Sequence, residues 1–315
     1  MKAFITGGAG FIGSHLADRL VNEASVTVYD DLSSGKLEYI NQDCKFIQDD
    51  VLSLRTLVDA MKYHDTVFHL AANPDVRRGI CNTRLDLEQE TIATHCVLES
   101  MRVNRIKKIV FISSSTVYGD SGDKYVSEAN LGNLPVSLYG AGKLSSESFI
   151  SAYCELFNMQ AWIFRIANIV GPRVTHGVIF DFVKKLREQP TSLEVLGNGK
   201  QSKPYLHVDD CVDGILFGHR NAKDRVNIFN LGCATVTSVK TIANMVVAAM
   251  KLHDTAINYG EQHNGWRGDV PHVRMDCTKM RELGWSARFT SDNAVERAIK
   301  EIVGATHDIG LYSCT

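Results

Sequence analysis

At 315 residues, with 44% hydrophobic and 22% charged content, the chain can bury a large core and divide into two lobes. A net charge of −2 excludes a broad electrostatic hold on nucleic acid or an anionic membrane, and no apolar run is long enough to span a bilayer. Eight scattered Cys, without a C-x-x-C pair or Cys/His ligand spacing, point to no metal site, and the lack of a leader before the first strand points to a cytoplasmic protein with reduced thiols.

Residues 2–6 read as a short apolar strand running into Gly7-Gly8-Ala9-Gly10-Phe11-Ile12-Gly13 and a helix over 11–22. Glycine at this spacing permits a tight turn and close backbone approach to a pyrophosphate, and the helix N-terminus supplies free N–H groups. Strand, turn and helix arrive in the order a dinucleotide site requires, which outweighs a plain strand-to-helix turn. A second strand, 25–29, ends in Asp30-Asp31. A carboxylate there accepts from both hydroxyls of an adenosine ribose and repels a 2′-phosphate, which favours NAD over NADP; Asp31 can also be merely solvated. After a third strand, 45–47, comes Asp50-Val51, where Asp50 can receive an adenine amino group or cap a helix. A fourth strand, 66–70, ends at Leu70 before Ala71-Ala72, whose small side chains let the backbone pass close to a cofactor.

An amphipathic helix is expected over 84–102 and a fifth strand over 108–113. The hydroxyls of Ser114, Ser115 and Thr116 follow at the carboxyl edge of a parallel sheet, where open α/β sheets bind ligands; a serine-rich turn is the competing reading. Tyr139 and Lys143, four residues apart, open a helix that continues to about 156. Residues at i and i+4 share a helix face. The ammonium is therefore expected to lower the pKa of the phenol, tuning it to exchange a proton with a sugar hydroxyl.

Further strands are expected at 161–165, leading to Ile166, and at 193–196, 204–207 and 226–231, with 204–207 returning to the sheet. Val208-Asp209-Asp210 should cap a helix to 220, and helices follow over 237–250 and 293–303. Residues 304–315 carry little pattern and read as a loose tail.

The stretches T-G-G-A-G-F-I-G, D-D-L-S-S-G, H-L-A-A-N, S-S-S-T-V-Y-G and Y-G-A-G-K together resemble the extended short-chain dehydrogenase/reductases, and more narrowly the NAD-dependent nucleotide-sugar epimerases of the UDP-glucose 4-epimerase type. The match continues through R-I-A-N-I-V-G-P-R, G-N-G-K-Q-S-K-P-Y-L-H-V-D-D and W-R-G-D-V-P, so it runs from Met1 to about Val303. The resemblance implies a Rossmann-like doubly wound parallel sheet with a smaller α/β substrate-capping lobe. The NAD-binding part would be residues 1–171 plus 204–231, the sugar-nucleotide lobe 172–203 plus 232–303, and the tail 304–315.

It also implies roles. Tyr139 would be the base and acid, Lys143 the lysine that binds the nicotinamide ribose, and Ser114 the hydroxyl that shares the sugar O4. Gly7, Gly10, Phe11, Ile12, Gly13, Asp30, Asp31, Asp50, Val51, Leu70, Ala71, Ala72 and Ile166 would line the cofactor. Asn168, Lys203, Arg267, Asp269 and Val273, with Ser115 and Thr116, would meet the substrate. Val273 falls where a bulky aromatic would exclude an N-acetyl group, so UDP-N-acetylhexosamines should fit as well as UDP-hexoses. A homodimer through the helices at 84–103 and 139–156 is expected on the same ground.

Three positions depart from the family pattern. Glu90 stands where the family has Asn before x-x-Gly-Thr; Lys203 replaces an Arg; and Asn264 replaces the diphosphate Arg, with Arg267 as the candidate substitute. The expected activity is 4-epimerisation of a nucleotide sugar with retained NAD. A dehydratase or decarboxylase on the same scaffold and a non-catalytic dinucleotide sensor are the alternatives. Ser114, Ser115 and Thr116 stand where a related dehydratase family carries Thr-Asp-Glu, which disfavours elimination; intact Tyr139, Lys143 and Ser114 disfavour a sensor.

Overall fold

The computed structural model describes residues 1–129 and 133–305. The expected tail lies outside the described residues from Thr306 onward. Seven strands form one parallel sheet: β1 (Lys2–Thr6), β2 (Ser25–Asp30), β3 (Lys45–Gln48), β4 (Thr66–His69), β5 (Lys108–Ser114), β6 (Gln160–Ile166) and β7 (Val226–Leu231). Their order is β7-β6-β5-β4-β1-β2-β3. The chain moves outward one way from β1 to β3, then crosses back and moves the other way from β4. The reversal falls between β1 and β4, and it opens a crevice at the carboxyl ends of these strands.

Alternation along the strands sends side chains to two cores, because successive residues of a strand face opposite ways. Ala3, Ile5, Val26, Val28 and Phe68 bury against α1 (Phe11–Leu20) and α6 (Val208–Asn221). Phe4, Tyr29, Val67, Ile109 and Phe111 bury against α2 (Leu54–Ala60), α3 (Ala93–Asn104) and α4 (Leu138–Phe157). A third apolar cluster joins α5 (Val178–Glu188), α7 (Val239–Ala249) and α8 (Ser291–Gly304) around Phe182, Leu186, Ile242, Val246 and Val295. It sits over the same crevice from the second half of the chain.

Three local expectations are corrected. The helix expected over 84–102 runs without interruption from Thr83 to Asn104 but is not α-helical throughout: a π-helical stretch, Leu87–Ile92, precedes α3. The strand Tyr205–His207 does not rejoin the large sheet; it pairs in parallel with Asn168–Val170. The N-cap of α6 is His207, whose Nδ1 accepts from Asp209 N at 3.2 Å. Asp210 is used elsewhere, accepting from Arg288 N at 2.9 Å and from the Arg288 side chain. An imidazole lone pair fills the capping role expected of an acid, and the acid pairs with a nearby arginine instead.

Candidate active site

The β1–α1 turn is built for close approach. Gly7 has φ +71°, and a Cβ on it would stand 2.5 Å from Ala71 N; one on Gly13 would stand 2.1 Å from Gly7 O. Only glycine closes this turn against the end of β4. Gly10 caps α1 with no side-chain hydrogen bond, and a Cβ there would meet only Gly7 O at 3.3 Å, so the first-turn amides face open space. At the end of β2, buried Asp30 accepts from Ala9 N and Leu32 N, each at 2.9 Å. Burial raises its pKa, and those two N–H bonds oppose the rise. Exposed Asp31 is folded back on Ser33, accepting from its N and Oγ. Asp50 accepts from Leu52 N in a turn of its own.

These residues border a cavity of about 510 Å³. Also on its wall are Phe11, Ile12, Val51, Leu70, Ala71, Ala72, Ser114, Ser115, Thr116, Tyr139, Lys143, Ile166, Asn168, Lys203, Asp269 and Val273. Arg267 is the exception: it is exposed and lies off the cavity. The turn explains why. Asp269 N bonds Trp266 O at 3.1 Å, and Gly268 takes φ +89°, which carries Trp266 and Asp269 inward and leaves Arg267 outside. Lys203 is already engaged, pairing with Asp269 at 2.6 Å.

Two cations on the wall had no motif to announce them, Arg77 and Lys185. Lys185 had a fainter signal, since Val178, Asp181, Phe182 and Lys185 follow helical spacing and all reach the cavity. Arg77 pairs with Asp75 at 3.0 Å and with Asp181 at 3.7 Å.

At the centre, Ser114 caps the short turn Ser115–Tyr118, with Ser114 Oγ accepting from Thr116 N and Thr116 Oγ1. The Ser114 hydroxyl also acts on the Tyr139 phenol, favouring its ionised form. Ser137 caps α4 by accepting from Gly140 N at 3.1 Å, which brings Tyr139 into its first turn. Lys143 follows one turn on, 2% exposed, with Nζ donating to Ile112 O at 2.9 Å and lying 5.6 Å from the Tyr139 ring centre.

The expectation that Lys143 lowers the Tyr139 pKa is not met in this protein. The phenol is raised above the ordinary tyrosine range, first by desolvation and then by the carboxylates of Glu90 and Asp86; only the nearby Ser114 hydroxyl opposes this. Lys143 is ion-paired at 2.9 Å with Glu90, itself 1% exposed. Gly142 makes room for this, since a Cβ on it would stand 2.7 Å from the Glu90 Cβ.

A glycine cradle, an uncapped helix start and a buried acid at the end of β2, all on one cavity, define a dinucleotide-using α/β enzyme, and the residues present fit that cofactor. The sequence profile of the NAD dependent epimerase/dehydratase family matches residues 3–232, and the chain belongs to that family. The UDP-glucose 4-epimerase of Mycolicibacterium smegmatis is 30% identical over 314 residues, spanning 95% of this chain and 98% of that protein. A crystal structure of UDP-galactose 4-epimerase superposes with a TM-score of 0.89 at 36% identity, covering 98% of this chain and 100% of that one. The UDP-glucose 4-epimerase of Thermotoga maritima, solved with UDP-glucose, gives 0.87 at 28% identity over 96% and 99%. Among the described residues no helix is long and apolar enough to cross a membrane.

Proposed function

We propose that the protein is an NAD-dependent nucleotide-sugar 4-epimerase, an isomerase acting on the UDP-glucose/UDP-galactose pair and also on the N-acetylhexosamine pair. The observation that carries this reading is the meeting of Tyr139, Ser114 and Lys143 on one cavity, in a chain of this family. Gly7, Gly10, Gly13, Asp30 and Lys143 would hold NAD, which when bound would supply the acceptor for the C4 hydrogen. Tyr139 takes the proton of the sugar 4-hydroxyl and returns it after the 4-keto sugar has turned over. Ser114 donates to the same sugar oxygen as charge develops on it. Lys203, Lys185 and Arg77 offer the positive charge for the diphosphate, in place of Arg267.

Half-buried Val273 leaves space at the wall for an acetamido group. The cysteines described are unpaired, in keeping with the reducing cytosol in which we place the enzyme. Exposed Ile92, Val103, Phe149 and Leu156, on or beside α3 and α4, offer an apolar face for a second copy, and we assign a homodimer on it.

NMR of purified protein with UDP-galactose, without added NAD, tests the activity. UDP-glucose should form. A 4-keto-6-deoxy product would replace this reading by dehydration, and no change across several sugar nucleotides would end it. Val273→Tyr should abolish turnover of UDP-N-acetylglucosamine and spare UDP-glucose; equal loss of both would refute the wall assignment.

A further inference from the structure

Glu90 is a buried acid that the reaction as described does not use. It lies within the π-helical turn Leu87–Ile92, directly behind Lys143 and off the cavity wall. Single π turns inserted in helices recur at functional positions. Its Oε1 accepts from Asn73 N at 3.0 Å, while Oε2 faces the Lys143 ammonium with no well-aligned donor. Asp86, one turn earlier and also buried, accepts from the Asn73 side-chain amide at 2.8 Å through one oxygen; its other oxygen has no partner. Of these two buried carboxyls one is paired with the ammonium, and the other feels its charge without an ion pair.

The other groups nearby do not relieve them. Tyr139 and Lys143 face this cluster from α4. His69, on β4 beside Lys143, stays neutral: burial pushes it down to about 3, and Thr6 and Thr94 engage its ring nitrogens. Arg165, farther along the sheet edge, is committed to Glu147. An ammonium favours a neighbouring phenolate only to the extent that its charge is not cancelled elsewhere. The carboxylate is in direct contact with Nζ, at 2.9 Å, while the Tyr139 ring lies beside the same ammonium, its centre 5.6 Å away, so the charge of Glu90 acts on the group that the phenol shares. Burial also pushes the Glu90 carboxyl up to about 7, against the pull of Lys143, which puts its protonation in the neutral range.

We propose that Glu90 is a positioning residue that governs the ionisation of Tyr139 through Lys143: when charged it cancels the ammonium, and when protonated it frees that charge for the phenol. The two groups then carry one proton between them across the middle of the pH range. The form able to accept a sugar proton is the one with that proton on Glu90. This rests on Tyr139 being the base, as proposed above.

The test uses the holoenzyme and Glu90→Gln, which removes the charge and keeps the shape. Phenolate formation is followed by near-ultraviolet difference titration, with Tyr139→Phe as the blank, beside the pH profile of kcat/KM. In Glu90→Gln both the phenolate titration and the acid limb should move down by about 1 pH unit or more. Glu90→Asp, which keeps the charge, should titrate like the parent. An unmoved titration in Glu90→Gln, or an equal shift in Glu90→Asp, overturns the proposal. Should Glu90→Gln fail to fold, Asp86→Asn should give a smaller shift in the same direction, and no shift there overturns it as well. Sugar conversion in the parent, read by NMR, keeps the two questions apart: conversion with an unmoved titration defeats the role of Glu90 alone, and no conversion defeats the epimerase reading.

Discussion

Helix α4 carries two buried acid–base pairs one turn apart, and they are built to opposite ends. Glu147 meets Arg165 through both oxygens at 2.7–3.2 Å, takes the Ser113 hydroxyl as well, and leaves the guanidinium a further bond to Tyr118 at 3.0 Å. Every charge there is matched by a directed hydrogen bond. Lys143 and Glu90 meet at 2.9 Å without such alignment, beside a second acid that has an unpartnered oxygen. A satisfied pair locks a core, whereas an underpaired one beside a cavity can change its protonation at modest cost. The first pair anchors the helix to the sheet; the second reaches the cavity through Lys143.

The largest expected effect isolates the chemical side. Tyr139→Phe should cut kcat by about 10²–10⁴-fold, leaving the denaturant midpoint within experimental scatter; retained turnover would break the contrast at its functional end. Next, Glu147→Ala strands Arg165 in the core and should cost about 3–5 kcal/mol of stability in urea titration. The folded fraction should keep the parental pH profile. A displaced profile would mean the anchoring pair also tunes the site.

A smaller effect sharpens the other side through the pH dependence of stability. Glu90 has a folded pKa raised above its ordinary 4.5, so its contribution is fully present below 4.5 and is lost as pH rises through about 7. Thermal melts of the cofactor-free protein should therefore fall across that window, and Glu90→Gln should flatten the fall. The smallest effect concerns the cations. Arg267→Ala should leave KM for UDP-glucose within about twofold, since an exposed charge outside the site contributes little, whereas Lys203→Ala should raise KM severalfold. The reverse order would return Arg267 to the substrate.

Most strands of the large sheet and the glycine turn were legible because apolar runs and a motif in fixed order depend on local chemistry that sequence displays, while the doubly wound arrangement followed from the family resemblance. The Tyr139–Lys143 spacing was legible for the same reason. The coupling of those two residues was not, because it depends on Glu90, fifty-three positions before Lys143 in the chain and brought behind it by a π turn and by Gly142. Its one visible trace was an acid where the family pattern has Asn. Arg267 was misplaced because its direction follows from the backbone of Gly268, and spacing alone does not tell which side chains of a six-residue turn point inward. The Tyr205–His207 pairing was hidden likewise, since a three-residue strand can join either of two neighbours.

In the proposed reaction hydrogen leaves C4 of the sugar and returns to the same carbon on its other face while Tyr139 handles the hydroxyl proton. UDP-galactose carrying deuterium at C4, turned over in ordinary water and read by NMR and mass spectrometry, tests this most directly. UDP-glucose should form with its deuterium kept at C4. Product with the label exchanged for solvent hydrogen, or with the label moved to another carbon, would contradict it.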